Sequence, residues 1–513
     1  MKTKSAFIVF AVVALIGVGW WFVGRWFGSK SDTQRGASEA LVLAVESAPT
    51  TIAPLNVTDL GSSLVAALAH SPLVLVDSEG KVVPALAQSV TVAPDAMSAR
   101  IVLNAAARFA DGSPVTAEDV EASLMGLRDS SSPLRVAMER LQGFEIISPT
   151  ELVARVAKPE PEFVKMVACL AASITKKGTA ANPKQFLDSQ VVGAGAWRLK
   201  MDESSPGQQY VFERNAGFPI TSNVKRLVVK VFGSHQAALA AFKSGEVDAY
   251  RLRGPAVTEA ISDGRLRPEF ASAGHLAKAR AAEVSIALVN WNSAKLRNIA
   301  PAERTNLMQR LSAAIPRKEI AAALGTAHSL RHLVPPAALA MGAGEEAPPA
   351  PSDWPQNVSL ELSSANDAQS RQLATLLQSV FSKLNVQTDT RAAEIGDLIG
   401  SIMKGDFDVA VTFIESALDT PGNFTQFFTE GSPYVAFGQG IAGLREKVEE
   451  ARGILDPAER LKKWAEAIAW LETQQTAWMP IVTRDSVLLL SSRISDARFE
   501  STGTPNWSFV QFR

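Results

Sequence analysis

Residues 108–120 constrain the local fold more than any other part of this 513-residue chain. An Asp-Gly pair, Asp111-Gly112, follows residues that end a strand, and glycine tolerates the backbone conformation of a tight turn. Thr116 then occupies a favoured helix N-cap position, with Asp119 three residues later. Because a capping box has Glu or Gln at that later position, Asp119 predicts an imperfect box. The segment therefore predicts a strand, a turn and a helix in that order.

The length and composition of the chain bound its architecture. A chain of 513 residues is too long for one hydrophobic core, so two or three domains are expected. Hydrophobic residues make up 47% and charged residues 20%, which is typical of a globular protein. The single cysteine, Cys169, excludes an intramolecular disulfide. The net charge of −1 and the lack of a basic tract give no indication of nucleic-acid binding.

An uncharged run from Ala6 to Gly24 follows Lys2 and Lys4 near the N-terminus. At about 1.5 Å per residue, it nearly spans a hydrocarbon core of ~30 Å. A cleaved signal peptide and an uncleaved anchor are both consistent with such a run. Tryptophans at its exit favour the anchor, since signal cleavage needs small residues and indoles favour the membrane interface. We expect residues 1–27 to be a membrane anchor and residues 28–40 a tether; no cysteine is nearby for lipid attachment.

Two similar helix-to-strand units occur in the two halves of the chain. An amphipathic helix at 235–244 is followed by Gly245, and a second helix at 394–404 is followed by Gly405. In each unit the glycine suits the left-handed position that ends a helix, and an apolar strand follows. The repetition predicts two similar α/β lobes.

The segment at 108–120 resembles a signature of bacterial extracellular solute-binding proteins, family 5, which are of the oligopeptide- and dipeptide-binding type. That signature has phenylalanine, Asp-Gly, proline and Thr-Ala-Glu-Asp-Val where this chain has Phe109, Asp111-Gly112, Pro114 and Thr116–Val120. One departure is Ala53, where the family usually has aspartate. The other segments that extend the resemblance from Leu41 to Phe512 are Glu46–Leu55, Pro84–Ser89, Val192–Leu199, Phe212–Asn215 and a strand before Asn292.

The resemblance implies an α/β, two-lobed periplasmic-binding-protein-like fold (class II, type C-like) with a hinge, preceded by one N-terminal transmembrane helix. We expect a first lobe built from residues 41–283 and 485–513, with an inserted subdomain near 72–180. The second lobe is expected to comprise residues 284–484.

The same resemblance implies a binding protein rather than an enzyme. It would capture a peptide or similar small solute by lobe closure and deliver it to the permease subunits of an ABC importer. We expect no cofactor and no metal, an inner-membrane anchor at residues 6–24, and a soluble part in the periplasm or outside the cell. The chain lacks the motifs of zinc proteases, serine hydrolases and P-loop proteins. His328 and His332 are four residues apart, but we interpret them as the end of a helix rather than as metal ligands.

The predicted ligand site combines acidic, hydroxyl and aromatic residues. Family members that bind peptides hold the ligand's ammonium group with a carboxylate that follows a second-lobe strand. Matching that segment puts Ser416 at the acidic position, with Glu415 beside it. Either a one-residue bulge lets Glu415 substitute, or the ammonium anchor is absent. The complete set of predicted ligand-binding residues is Glu46, Trp291, Glu415, Ser416, Asp419 and Trp507.

Arg251 and Arg253 are further candidates, for a ligand carboxylate, although solvated loop arginines are the commoner case. The main alternative function is a repurposed scaffold that serves as an interaction or sensory module of a membrane complex. The uncleaved anchor, the Glu415-Ser416 pair and Ala53 favour this alternative. A hydrolase ranks third.

Overall fold

The computed structural model describes residues 40–57, 59–130, 132–179, 192–325, 327–330, 359–415, 425–430, 435 and 440–513. It is a mixed α/β structure. The strands are β1 (Ala40–Val45), β2 (Val74–Val76), β3 (Val82–Pro84), β4 (Ala87–Val92), β5 (Ser98–Leu103), β6 (Leu141–Ser148), β7 (Glu151–Val156), β8 (Trp197–Leu199), β9 (Gln209–Arg214), β10 (Arg226–Val231), β11 (Ala249–Leu252), β12 (Ile261–Ser262), β13 (Arg265–Leu266), β14 (Gly274–Val289), β15 (Ala327–Ser329), β16 (Ser359–Ala365), β17 (Gln387–Ala393), β18 (Val409–Glu415), β19 (Trp478–Ser491), β20 (Ile494–Phe499) and β21 (Pro505–Phe512).

The helices alternate with these strands through much of the chain. They are α1 (Leu60–Ala69), α2 (Ala117–Asp129), α3 (Phe163–Met166), α4 (His235–Lys243), α5 (Pro255–Ala260), α6 (Pro268–Ala271), α7 (Pro301–Ala314), α8 (Arg317–Ala323), α9 (Ala368–Lys383), α10 (Ile395–Lys404), α11 (Leu444–Arg452) and α12 (Pro457–Gln474).

An 11-stranded sheet runs through the described residues in the order β17-β16-β18-β14-β19-β11-β1-β10-β9-β8, with β15 also paired to β19. Two long antiparallel strands, β14 and β19, lie at its centre. On one side β19 pairs with β11, and on the other β14 pairs with β18. We call β14 and β19 the crossing strands because they belong to both halves of the sheet.

The hydrophobic cores divide at the crossing strands into two lobes. The first lobe has one cluster on each face of the sheet, and alternate residues of β19, such as Leu488 and Leu489, pack into different clusters. The second lobe is arranged in the same way, with Ile286 and Ala287 of β14 in different clusters. Burial on both faces explains why β19 reads as a mostly apolar run, with Arg484-Asp485 as the interruption. The predicted lobe boundaries fall inside these shared strands and stay predictions.

The segment at 108–120 folds as its residue types predict. Gly112 has a φ of 85° in the turn, and α2 begins after the N-cap Thr116. The capping box is complete: the Asp119 carboxylate accepts from the Thr116 backbone N–H at 2.9 Å, and the Asp119 N–H donates to the Thr116 hydroxyl at 3.4 Å. The expected imperfection is therefore wrong, since the shorter aspartate still reaches the N-cap. This helix packs beside the four-stranded antiparallel sheet β4-β5-β7-β6.

The two predicted helix-to-strand units are confirmed. Gly245 after α4 has a φ of 75°, and Gly405 after α10 has a φ of 70°. The strands that follow, β11 and β18, lie in the first and second lobe on either side of the crossing strands. Each unit thus delivers one strand to the centre of the sheet.

The predicted transmembrane helix at residues 6–24 lies outside the described residues. Within the described part of the chain, no helix is long and apolar enough to cross a membrane. The tether predicted at 28–40 also lies outside it, except for Ala40 at the start of β1.

A network of ion pairs joins the two lobes away from the crossing strands. Arg452, at the end of α11, places Nε 2.6 Å from an oxygen of Glu160 and Nη1 2.9 Å from Glu139. Arg140 reaches Glu449 of α11 at 2.9 Å, and Lys158 reaches the same carboxylate at 2.7 Å. Arg452 and Glu160 are 8% and 1% exposed, so this pair is shielded from solvent. We call these six residues the interlobe ion cluster.

Replacing Arg452 with methionine is expected to lower the free energy of unfolding by up to about 3–5 kcal/mol, because the buried Glu160 carboxylate would keep only its longer contact, 3.5 Å, with Arg140. Urea unfolding measures the change. Lys158→Met is the matched control, since its side chain is exposed and such pairs contribute about 0–1 kcal/mol. Equal effects of the two variants would contradict the argument.

His70 predicts a pH dependence of stability. It follows α1 and is 1% exposed, and burial lowers its pKa to about 4, against a weaker opposing effect of a backbone hydrogen bond with Ile52. Because the unfolded chain takes up this proton near its ordinary pKa of about 6.5, stability declines as the pH falls below that value. Between pH 7.5 and 5 the wild type should lose about 2 kcal/mol more than His70→Gln. Urea unfolding of both proteins at both pH values tests this, and parallel losses would show that His70 is not the cause.

Candidate functional site at the strand ends

The carboxyl ends of strands from both lobes face each other at the middle of the crossing strands. In the first lobe, β1 and β11 are parallel, and β11 ends with Leu252 level with Val487 of β19. In the second lobe, β16, β17 and β18 are parallel, and β18 ends with Glu415 level with Glu283 of β14. Glu283 is itself level with Arg484 of β19.

The two sets of strand ends are thus three residues apart along β19, or about 10 Å. Ligands of open α/β sheets bind outside the carboxyl ends of the strands. We call this place the strand-end crevice, defined by Glu46, Tyr250, Arg253, Glu283 and Arg484.

The first-lobe side of the strand-end crevice holds a carboxylate and a phenol. Glu46 follows the last residue of β1 and is exposed, whereas Tyr250 of β11 is 2% exposed. The Tyr250 hydroxyl donates to Glu46 Oε1 at 2.5 Å. Burial raises the pKa of Tyr250 strongly, and the negative charge of Glu46 adds to the effect. Tyr250 is therefore a neutral donor that orients Glu46.

Arg253 bridges the two lobes at the strand-end crevice. Its guanidinium forms an ion pair with Glu283 of β14, which is 4% exposed. The same group lies 4.9 Å from the ring centroid of Phe413 on β18. Arg253 is therefore not the solvated loop arginine that is the commoner case, because it contacts both a crossing strand and the second lobe.

The structure brings together two of the predicted ligand-binding residues and separates two others. Glu46 and the backbone of Glu415 stand at the facing strand ends. Trp291 is 6% exposed in a second-lobe core, and its indole N–H donates to the Thr476 carbonyl at 2.7 Å. Trp507 is 7% exposed in a first-lobe core. Ser416 and Asp419 lie outside the described residues, and ligand contact by any of the six residues stays a prediction.

Sequence reasoning missed Glu283 and Arg484. Their signal is a charged residue within an apolar strand: Arg484-Asp485 interrupts the run of β19 from Trp478 to Leu490. In a strand buried on both faces, a charged side chain needs a specific partner or a function. The pattern would have identified the position, but only the register of β14, β18 and β19 shows that it lies at the strand ends.

The prediction that His328 ends a helix is wrong. His328 lies on β15, and its Nε2 is 3.2 Å from the Asp485 carboxylate, because pairing with β19 extends the chain there. His332 lies outside the described residues. Across the described ranges, no group of three or more His, Cys, Asp or Glu side chains could hold a metal ion.

Comparison with known proteins identifies the family of the chain. The sequence model for the bacterial extracellular solute-binding proteins, family 5 (middle region), matches residues 81–434. The chain belongs to this family. Its matched relatives and structural neighbours are binding proteins rather than enzymes, in agreement with the expectation from its residues.

Two curated relatives show how much of the chain is shared. The probable D,D-dipeptide-binding periplasmic protein DdpA of Escherichia coli K12 is 23% identical over 369 residues, which are 67% of this chain and 66% of DdpA. The glutathione-binding protein GsiB of Escherichia coli K12 is 27% identical over 165 residues, or 32% of each chain. The chain therefore spans about two thirds of one relative and a third of the other.

Solved structures share the two-lobed fold over nearly the whole chain. DppA from Helicobacter pylori, in complex with the peptide STSA, has a TM-score of 0.78 at 15% identity and covers 92% of this chain and 98% of its own. The dipeptide-binding protein from Pseudoalteromonas sp. SM9913, in complex with Met-Leu, has a TM-score of 0.77 at 16% identity and covers 92% and 100%. AgaA from A. tumefaciens R10, in complex with agropinic acid, has a TM-score of 0.75 at 16% identity and covers 89% and 94%.

Tyr250 is expected not to ionise in the folded protein below pH 11. Alkaline titration followed by tyrosinate absorbance should give the same amplitude for wild type and Tyr250→Phe up to that pH, because burial and Glu46 disfavour the phenolate. In denaturant the wild type should show the larger amplitude, since all three tyrosines then titrate. A smaller amplitude for folded Tyr250→Phe would contradict the hydrogen bond to Glu46.

Proposed function

We propose that this chain captures a peptide or a similar small solute in the strand-end crevice and delivers it to the permease of an ABC importer. The observation that carries the proposal is the meeting of strand ends from two lobes at one pair of crossing strands. A ligand there contacts both lobes at once, so its binding favours the arrangement in which they are closed. The peptide ligands named for DppA and the Pseudoalteromonas protein support the ligand class.

The predicted ligand-binding residues have distinct roles in this proposal. Glu46 and Glu415 are the acidic residues at the facing strand ends, and each is suited to an ammonium group. Ser416 and Asp419 follow Glu415 and supply further acceptors. Trp291 and Trp507 would contribute indirectly, by supporting the lobes through their cores.

The location of the protein is also part of the proposal. Residues 6–24 would anchor the chain in the inner membrane, with residues 28–40 as a tether and the soluble part in the periplasm or outside the cell. The uncharged run and the tryptophans at its exit support this assignment.

One observation favours the second candidate function, an interaction or sensory module of a membrane complex. The buried Arg452–Glu160 pair ties the lobes together at a distance from the strand-end crevice. A scaffold that no longer captures solutes does not need its lobes to separate, so a contact that holds them together suits that function. This candidate predicts that no solute stabilises the protein.

Thermal unfolding with a panel of di- to pentapeptides, opines and sugars separates the two candidates. A ligand present at 100 times its dissociation constant should add about 2.7 kcal/mol to the free energy of unfolding. Glu415→Gln should weaken peptides with a free α-ammonium and leave their N-acetylated forms unaffected. Lys158→Met, outside the crevice, serves as the control. A panel without any shift would refute solute capture and support the scaffold.

A further inference from the structure

Arg484 is a buried arginine between the two sets of strand ends. It is 5% exposed and lies on β19, whose neighbouring residues are mostly apolar and buried. Residues level with it on β14 and β18 are Glu283 and Glu415. A guanidinium in such surroundings is costly unless its N–H groups have acceptors.

Two N–H groups of Arg484 have no acceptor among the described residues. Nε and Nη2 are both shielded from solvent and make no hydrogen bond. The nearest ion-pair contact, from Nε to Glu283 Oε1, is 3.9 Å, which is too long for a hydrogen bond. The other oxygen of Glu283 is held by Arg253. Burial lowers the pKa of Arg484; Glu283 and Asp367 oppose this effect and Arg253 adds to it.

Three other arginines of the described residues are similarly buried, and each has acceptors for its guanidinium. Arg317, 2% exposed, donates from Nε to the carbonyls of Leu330 and Pro480 at 2.9 and 3.0 Å, and from Nη2 to the Ser312 hydroxyl at 2.7 Å. Arg452 is paired with Glu160 and Glu139 in the interlobe ion cluster. Arg140, 4% exposed, also leaves Nε without an acceptor, but its Nη1 donates to the Pro159 carbonyl at 2.6 Å and its Nη2 lies 2.9 Å from Glu449. Arg484 differs in that both Nε and Nη2 lack an acceptor among the described residues.

Two hydroxyl groups extend this polar region. Ser285 and Ser486 are 0% and 3% exposed, and neither Oγ has a hydrogen-bond partner among the described residues. Ser486 is two residues from Arg484, and Ser285 is two residues from Glu283, so all four lie on one face of the sheet. We call Arg484, Ser285 and Ser486 the floor patch of the strand-end crevice.

We infer that the floor patch is an anion subsite that takes a carboxylate of the captured solute. Nε and Nη2 form the side-on edge of a guanidinium, which matches the two oxygens of a carboxylate in a bidentate pair. The serine hydroxyls add neutral donors beside it. The inference rests on the proposed function, since the buried Arg484 meets a solute only if the two lobes open and close around it.

The subsite also completes the charge pattern of the strand-end crevice. Glu46 and Glu415 offer negative charge at the strand ends, whereas Arg484 offers positive charge on the floor between them. A solute with an ammonium group and a carboxylate within a short distance matches both. The specificity predicted is therefore for short zwitterionic solutes, not for neutral sugars.

Binding of three related dipeptides to the full chain and to Arg484→Met tests the subsite. The probes are alanyl-alanine, its C-terminal amide, and alanyl-glutamic acid α-amide, which moves the carboxylate to a side chain. Calorimetry should show that Arg484→Met loses about tenfold to a hundredfold in affinity for a probe with a carboxylate. Its affinity for alanyl-alanine amide should equal that of the wild type. Comparison of the first and third probes shows which carboxylate is used.

A structural role for Arg484 is tested in the same proteins without ligand. Because methionine removes a buried charge that lacks acceptors, Arg484→Met should melt at or above the wild-type temperature. The matched control is Arg198→Met. Arg198 lies on the outer strand β8 and forms an exposed ion pair with Glu213, so this variant should alter neither affinity nor melting temperature. A lower melting temperature for Arg484→Met, with unchanged affinity for the carboxylate probes, would overturn the subsite.

Succinate and sulfate, used as separate probes, distinguish failure of the peptide proposal from failure of the anion subsite. If no dipeptide binds the wild type, peptide capture is refuted. Stabilisation of the wild type by succinate that is absent in Arg484→Met would then still support the anion subsite. The assignment to carboxylates would be overturned if succinate had no effect that depends on Arg484. It would also be overturned if sulfate alone had such an effect.

Discussion

The pairing of β14 with β19 is the interaction on which the rest of the structure depends. These two strands are the only ones in the described part of the chain that carry core residues of both lobes. The side chains of β19 are mostly buried, as are those of β14 from Glu283 to Val289, so this part of the ladder between them is protected from water. The strand ends of both lobes are placed by their register against this one pair. A shift of one residue between the two strands would put Arg484 and Glu283 on opposite faces of the sheet.

Local features of the fold were predictable because their causes are local. Thr116 and Asp119 define a helix start within four residues. Gly245 and Gly405 end helices because glycine readily adopts the left-handed backbone conformation, whatever the surrounding sequence. The strand-end crevice was only partly predictable. Glu46 and Glu415 follow apolar strands and could be named, but the approach of Arg253 to Glu283 depends on strand pairing between residues far apart in the chain.

Two kinds of buried arginine illustrate the division between stability and binding. Arg317 is surrounded by carbonyl oxygens, so its burial stabilises the packing of α8 against β19. Arg484 is buried without such acceptors, which lowers the stability of the fold unless another molecule supplies them. Trp291, whose ligand contact stays a prediction, also has an internal acceptor: its indole N–H donates to a backbone carbonyl within a second-lobe core.

The interlobe ion cluster has a consequence for the rate at which the two lobes separate. Arg452 and Glu160 join the two lobes outside the crossing strands, so separation of the lobes breaks their contact. As the lobes begin to separate, the pair is broken before water hydrates the two charges, whereas in the open state their hydration offsets the lost attraction. The pair therefore raises the barrier to separation more than it shifts the final equilibrium. In the proposed function, the cluster would therefore lengthen the residence time of a solute held between the lobes. Salt, which screens exposed charges more than buried ones, would change that residence time little.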